Sequence, residues 1–162
     1  MKNLFDALLL FWTVYISSNI LAMTLAIGSF KFPSLTRLAL FLLFGWSCWT
    51  NALNAFDSPW VYIDYADSAV LPFKNFVLQL SEHSLKALAL LVALFQLLIA
   101  VSMLLKGWSF KGGCLAGMLY CLALLPLGLY SGFPAPILMS LTFYTLFSTK
   151  HVEKLWIDLL VR

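Results

Sequence analysis

Between Lys86 and Lys106 the chain holds nineteen residues without a charge, and a run of that length crosses a bilayer as a helix, which takes about 20 apolar residues. This is the clearest span of the sequence, and the rest arranges itself around it. At helical spacing Glu82, Lys86, Ala89, Ala93, Gln96, Ala100 and Met103 fall on one face. They form a small and polar stripe on an otherwise Leu, Val, Phe and Ile cylinder, and such a stripe has to face protein or a cavity.

Composition fixes how many such spans to expect. With 162 residues, 62% hydrophobic and 10% charged, the chain is far from a soluble domain, where about 25% of residues are charged. One compact unit with four or five spans and short connections fits, and no soluble second domain does. The net charge of +3 is small and dispersed, which excludes nucleic-acid binding and leaves the basic residues to report orientation. Cys48, Cys114 and Cys121 all sit in apolar stretches without a CxxC spacing; Cys114 and Cys121, seven apart on one helix face, are too distant to bridge, so free thiols are expected.

The first apolar run, Ala7 to Phe30, exceeds the roughly 7 to 15 residues of a signal-peptide core and carries Thr13, Tyr15, Ser17, Ser18 and Asn19 in its body, so it reads as a retained span. Ser18, Ala22 and Ala26 repeat at the small-xxx-small spacing that admits a close neighbour, with Asn19 bonding inside the bundle. A second helix over residues 35–56 follows, capped by Ser34 or Thr36, with Arg37 snorkelling from its start. Its second half places Ser47, Asn51 and Asn54 on one face beside Trp46, Trp49 and Thr50, and an unsatisfied amide in hydrocarbon costs several kcal/mol. This end therefore points into the bundle or at a wet vestibule.

Residues 57–84 form the one long connection and hold Asp57, Asp64, Asp67 and Glu82, four of the seven acids. Phe73, Phe76, Val77 and Leu80 recur at helical spacing after Pro72, which predicts a short helix lying on the membrane surface, and Trp60, Tyr62 and Tyr65 suit an interfacial belt. Beyond the opening span, residues 106–113 read as a tight basic turn. A fourth span then covers 113–130, with Gly113 and Gly117 as a GxxxG face and Pro126 as a kink. After a reversal at 131–136, the run over 135–149 is short and rich in hydroxyls, a thin span or a re-entrant helix.

Charge decides between them. With five spans at about 7–30, 35–56, 85–106, 113–130 and 135–149, one side collects Lys31, Arg37, Lys106, Lys111, Lys150, Lys154 and Arg162, seven of the ten basic residues. A four-span chain would split them four against six, which specifies no orientation. The reading is thus a single all-α transmembrane domain with its N-terminus outside, the acidic loop outside, and an amphipathic tail over 150–162 resting on the cytoplasmic surface.

Chemistry has few places to live. No span holds an ionisable residue in its interior, unlike ion-coupled pumps, and His83 and His151 lie on opposite sides, which excludes a bis-histidine haem in the bundle. No Walker loop, HExxH, GxSxG or Cys/His cluster is present, and Asp64 with Asp67 is too sparse for calcium. What remains is a polar neighbourhood at the outer end of the second and third spans. A pocket lined by Ser47, Trp49, Asn51, Asn54, Asp57, Glu82 and His83, with Gln96 deeper, would suit a quinone or a sterol-like lipid. Interhelical hydrogen bonding explains the same amides, and Gln96 reads mainly as a side chain that fixes register.

From Arg37 to Thr149 the chain resembles the DoxX-like family of small bacterial membrane proteins. Arg37 with Phe44 and Gly45 resembles one family element, and Gln96, Ala100, Leu104, Leu105 and Gly107 another. Gln96 stands where the family usually has Glu, Ala100 where it has Gly, and no Lys closes the second helix. The resemblance implies a four-helix core in the bacterial inner membrane, with the first span added, in a family where some members serve quinone-linked thiosulfate oxidation or redox-stress complexes. Together with the missing Glu it implies a non-catalytic subunit or accessory holding a quinone or lipid, whose partners are the bilayer, a larger redox-enzyme subunit or further copies of the chain. The competing class is an enzyme or transporter for a lipophile, with Glu82 and His83 as acid and base.

Overall fold

The computed structural model describes residues 2–58, 61, 63, 69–127, 132–149 and 155, with the side chains of 2–8, 10, 73 and 76 left out. Among these residues the chain is helical without strands: α1 (Lys2–Lys31), α2 (Pro33–Asp57), α3 (Leu71–Leu78), α4 (Glu82–Leu104), α5 (Gly107–Ala123) and α6 (Ala135–Phe147). Helices α1, α2 and α4, and α5 together with the turn that follows it to Leu127, are long and apolar enough to cross a membrane, whereas α6 is shorter.

The five long helices close a ring in the order α1, α2, α4, α5, α6 and back to α1, and α2 against α4 is the largest contact. Neighbours sort by size, as expected where lipid tails are as apolar as leucine and close packing drives association. On α4 the buried residues include Ala89, Ala93, Gln96, Ala100 and Met103, while Leu91, Leu94, Leu97, Leu98 and Val101 face outward. The expected stripe is thus the inner face of α4, apart from Glu82, which is exposed. Phe44 stands in the middle of the ring, edge-on to Tyr120 of α5 at 5.8 Å and to Phe143 of α6 at 5.5 Å.

Glycine sets two of the close approaches. A Cβ on Gly113 would lie 1.6 Å from Ser102 Oγ, and one on Gly117 would lie 2.5 Å from the Phe143 ring, so α5 meets α4 at the first and α6 at the second. The Ser18, Ala22, Ala26 face of α1 turns to α6 rather than to α4: Ser18 lies against Gly132, and Thr145 Oγ1 donates to Ser29 Oγ. Cys48, Cys114 and Cys121 are free thiols, the last two buried in the core.

The contacts also give direction. Arg37 meets Leu105 and Asn51 meets Gln96, so α2 and α4 are antiparallel; Ser102 with Gly113 and Gln96 with Tyr120 make α4–α5 antiparallel, and Gly117 with Phe143 and Lys111 with Phe147 do the same for α5–α6. Asn19 meets Gly132 and Ser29 meets Thr145, so α1 and α6, first and last in the chain, run parallel. The five helices therefore alternate.

Several sequence expectations need correction. The turn expected over residues 106–113 is confined to Leu105 and Lys106: Gly107, at φ +64°, lets the chain reverse at once, and Trp108 to Gly113 already belong to α5. At its far end α5 stops at Ala123, and residues 125–127 form a 3₁₀ turn around Pro126, which ends the helix rather than kinking it. Neither Ser34 nor Thr36 caps α2. Phe32 alone joins α1 to α2, Pro33 takes the first helical position, and Thr36 Oγ1 donates back to the Phe32 carbonyl at 3.1 Å. The short loop helix exists as α3 and buries Val77 against Leu85, with Ile63 and Leu80 packed around them. Val70 N donates to the Pro126 carbonyl at 2.9 Å, which ties the start of α3 to the end of α5. The side chains of Phe73 and Phe76, the residues Trp60, Tyr62, Asp64, Tyr65 and Asp67, and the tail over 150–162 other than Leu155 lie outside the described residues.

Candidate functional site

The interior polar seam starts on α2. Asn51 Nδ2 donates to Gln96 Oε1 of α4 at 2.8 Å, and Gln96 Nε2 donates to the Tyr120 hydroxyl of α5 at 2.6 Å, a chain of donors across three helices. Gln96 is 3% exposed, and a buried amide needs such partners because leaving it unsatisfied costs about 1–3 kcal/mol. Tyr120 is held between Phe44 and Phe95, whose ring centroid is 6.2 Å away. Two amides and a phenol donate and accept hydrogen bonds, so the seam positions α2, α4 and α5 against one another.

A second polar centre sits at the other end of α2. Arg37 is 1% exposed, which corrects the expectation that it snorkels to the surface. Its Nε donates to the Met103 carbonyl at 3.1 Å and one terminal nitrogen donates to the Leu105 carbonyl at 2.7 Å, while the guanidinium lies 4.5 Å from the Phe110 ring centroid. The physical reason lies in α4. That helix has no basic residue in its last turn and ends in an extended residue, Leu105, so its final carbonyls need an outside donor and its negative dipole end an outside cation. Arg37 supplies both from the neighbouring helix, with the Phe110 ring against its guanidinium.

A third set of polar contacts joins α1 to the turn before α6. Tyr15 OH donates to the Phe133 carbonyl, and Asn19 Nδ2 donates to the carbonyls of Tyr15 at 2.9 Å and Gly132 at 3.2 Å. Non-helical backbone inside a bundle has to be satisfied by protein or water, and α1 brings side chains that do so. Asn19 Oδ1 is the one buried side-chain N or O atom without a partner among the described residues.

The eight residues singled out in the sequence divide into groups. Asn51 and Gln96 are brought together by a direct bond. Ser47 and Asn54 are half-buried on α2, while Trp49 and Asp57 are exposed. Glu82 and His83 are exposed at the start of α4, roughly 21 Å along the helix axis from Gln96. At that end Lys86 Nζ lies 4.3 Å over the Phe56 ring and links α4 to α2. Among the described residues no group of three or more His, Cys, Asp or Glu comes together as a metal site requires. Sequence reasoning missed Tyr120 and the role of Arg37; the signal for the second was the absence of a basic residue from the last turn of α4.

No protein-family model, curated protein or solved structure matches this chain. The fold and the seam define a class: among the described residues, an all-helical, multi-pass membrane bundle with four helices able to cross a bilayer, an amide–phenol seam and one buried arginine in its interior.

Proposed function

We propose that this chain is a five-span, DoxX-like protein of the bacterial inner membrane, a non-catalytic subunit or accessory of a membrane redox system that holds a quinone or lipid. The observation that carries the scaffold reading is the pairing of interior polar groups with one another: Asn51, Gln96 and Tyr120 in one chain of bonds, and Arg37 on the carbonyls of α4. Such groups fix helix register and leave the outer faces to partners. On the outer face of α2, Trp46 and Trp49 stand exposed, an aromatic platform suited to a prenyl tail or a lipid.

Alternation of the five helices supports a fifth crossing by α6, whose 13 residues reach only ~20 Å and make it a thin span. The end carrying Lys31, Arg37, Lys106 and Lys111 is read as cytoplasmic and the N-terminus as external. The competing reading, an enzyme or transporter acting on a lipophile through Glu82 and His83, has its acid and base candidates exposed and far from the seam.

Purification in mild detergent tests the proposal, with co-purifying chains and extracted lipophiles identified by mass spectrometry. Redox-enzyme subunits and a retained quinone or lipid are the expected result; a chain isolated alone and free of lipophile sinks it. Glu82→Ala and His83→Ala are expected to leave this co-purification unchanged. Loss of turnover or binding of a lipophile in those variants, with the bundle intact, would favour the enzyme or transporter.

A further inference from the structure

Tryptophan in a membrane helix is ordinarily an interfacial residue, with its ring at headgroup level and its N–H in reach of a polar partner. Trp46 and Trp49 are placed elsewhere. Helix α2 runs from Pro33 to Asp57, which puts Trp46 near its midpoint. The level at which α2 and α4 leave the hydrocarbon is marked by Lys86, whose Nζ lies 4.3 Å over the Phe56 ring, and by Asp57, which is exposed. Trp49 and Trp46 stand ~10 Å and ~15 Å below that level, within a hydrocarbon core about 30 Å thick. Helical side chains lean toward the N-terminus, here away from Phe56, so neither ring is carried back to the headgroups.

Both rings are nonetheless bare. Trp46 is 68% and Trp49 61% exposed, and neither indole N–H has a hydrogen-bond partner among the described residues. A donor in hydrocarbon without an acceptor is costly, and acyl chains offer none at this depth because their ester oxygens stay near the headgroups. The helix is also hollow beside the rings. Gly45 lies one turn before Trp49 on the same face; it is half-buried, and a Cβ there would meet nothing within 4 Å. Leu42 and Leu53, both exposed, flank the indoles. The recess at Gly45 thus has apolar walls and two donors that lack an acceptor.

We propose that Gly45, Trp46 and Trp49 form a mid-membrane site for a flat, uncharged lipophile whose ring carries carbonyl oxygens, the class of a quinone, with an indole N–H donating to a carbonyl oxygen. This rests on the reading of the chain as a membrane protein that holds a quinone or lipid, and narrows it: the ring, rather than the tail, is what α2 recognises. A phospholipid keeps its polar atoms at the interface and a hydrocarbon has no acceptor, so neither meets both demands.

The test measures binding of decylubiquinone to the full chain in lipid nanodiscs, against empty discs, with infrared spectra of the bound quinone. The wild type is expected to bind it in excess over the discs and to shift a carbonyl stretch to lower wavenumber, as a hydrogen bond does, whereas decylbenzene shows no excess. Trp46→Phe with Trp49→Phe keeps the rings and removes the donors, and is expected to weaken binding by roughly fivefold or more and to abolish the shift. Gly45→Leu, whose added atoms enter open space, weakens binding as well, and Trp108→Phe changes nothing. No carbonyl shift in the wild type, equal uptake of decylbenzene, or a shift that survives in the double variant overturns the proposal, and the first two decide it even where a variant does not fold. A chain that binds no decylubiquinone and retains no lipophile through purification sinks the proposed function with it. One that retains other lipophiles without binding decylubiquinone overturns this proposal alone.

Discussion

Gln96 is the residue on which three helices agree, since it accepts from α2 and donates to α5. Hydrogen bonds between membrane helices average about 0.6 kcal/mol and reach about 1.7 kcal/mol, so Gln96→Leu is expected to lower unfolding stability in detergent by about 1–2 kcal/mol. Asn51→Ala should then cost less in the Gln96→Leu background than in the wild type, because the bond between them is already lost; additive effects in that double-mutant cycle would show that the two side chains act separately. Arg37 is more demanding. Hydrogen bonds to charged groups contribute about 1.5–3 kcal/mol each, and Arg37 makes two to carbonyls and stacks on Phe110. Arg37→Lys keeps the charge but not the fork or the stacking, so thermal denaturation should place it between wild type and Arg37→Ala, with the alanine variant losing at least ~3 kcal/mol. The polar seam was half legible in the sequence. Gln96 and Asn51 stand out as amides among apolar neighbours, but a tyrosine in an aromatic-rich chain gives no sign that its hydroxyl closes the network. Arg37 misled because a basic residue near a helix end ordinarily reaches water; the broken end of α4 that recruits it is a property of another segment.

Helix identity was easier to read than helix contact. The apolar runs locate α1, α2, α4 and α5 because length and hydropathy act on each helix alone, and the small-residue spacings mark the faces that pack. Which face meets which is set by shape, and there the glycines decide. Gly113 admits Ser102 so closely that an added methyl has no room, and Ser102 is too short to swing aside. Gly113→Ala is therefore expected to destabilise by at least the ~1–3 kcal/mol typical of overpacking, and Ser102→Gly in the same chain should restore much of it; failure of that rescue, followed by thermal unfolding in detergent, would mean that α4 and α5 are not in contact at this level. The boundaries of α5 were misjudged for a local reason. Gly107, Gly112 and Gly113 in a basic stretch resemble a loop, yet only Gly107 takes the left-handed conformation, and the others serve the helix. Pro126 suggests a kink because the apolar run continues past it, whereas α5 has already ended at Ala123 and the Pro126 carbonyl accepts from Val70 at the start of α3.

At the scale of the whole molecule, alternation of five helices predicts a labelling pattern. Single cysteines introduced at Phe32, Lys106 and Thr149 into a chain freed of Cys48, Cys114 and Cys121 should react with a membrane-impermeant thiol reagent from one side only, and one at Asn3 from the other. A cysteine at Thr149 that labels with Asn3 would mean that α6 does not cross. The ring has a further consequence, through the parallel pairing of α1 with α6. Helix α1 has α6, more than 100 residues later in the chain, as one of its two neighbours in the ring, so Tyr15, Asn19 and Ser29 emerge from the ribosome long before Phe133, Gly132 and Thr145 exist to receive them. Before α6 is made, α1 has α2 beside it but lacks the polar contacts that α6 and the turn before it supply. Closure of the ring thus waits for α6: a chain stopped before that helix leaves Tyr15, Asn19 and Ser29 without the partners that the ring brings to them.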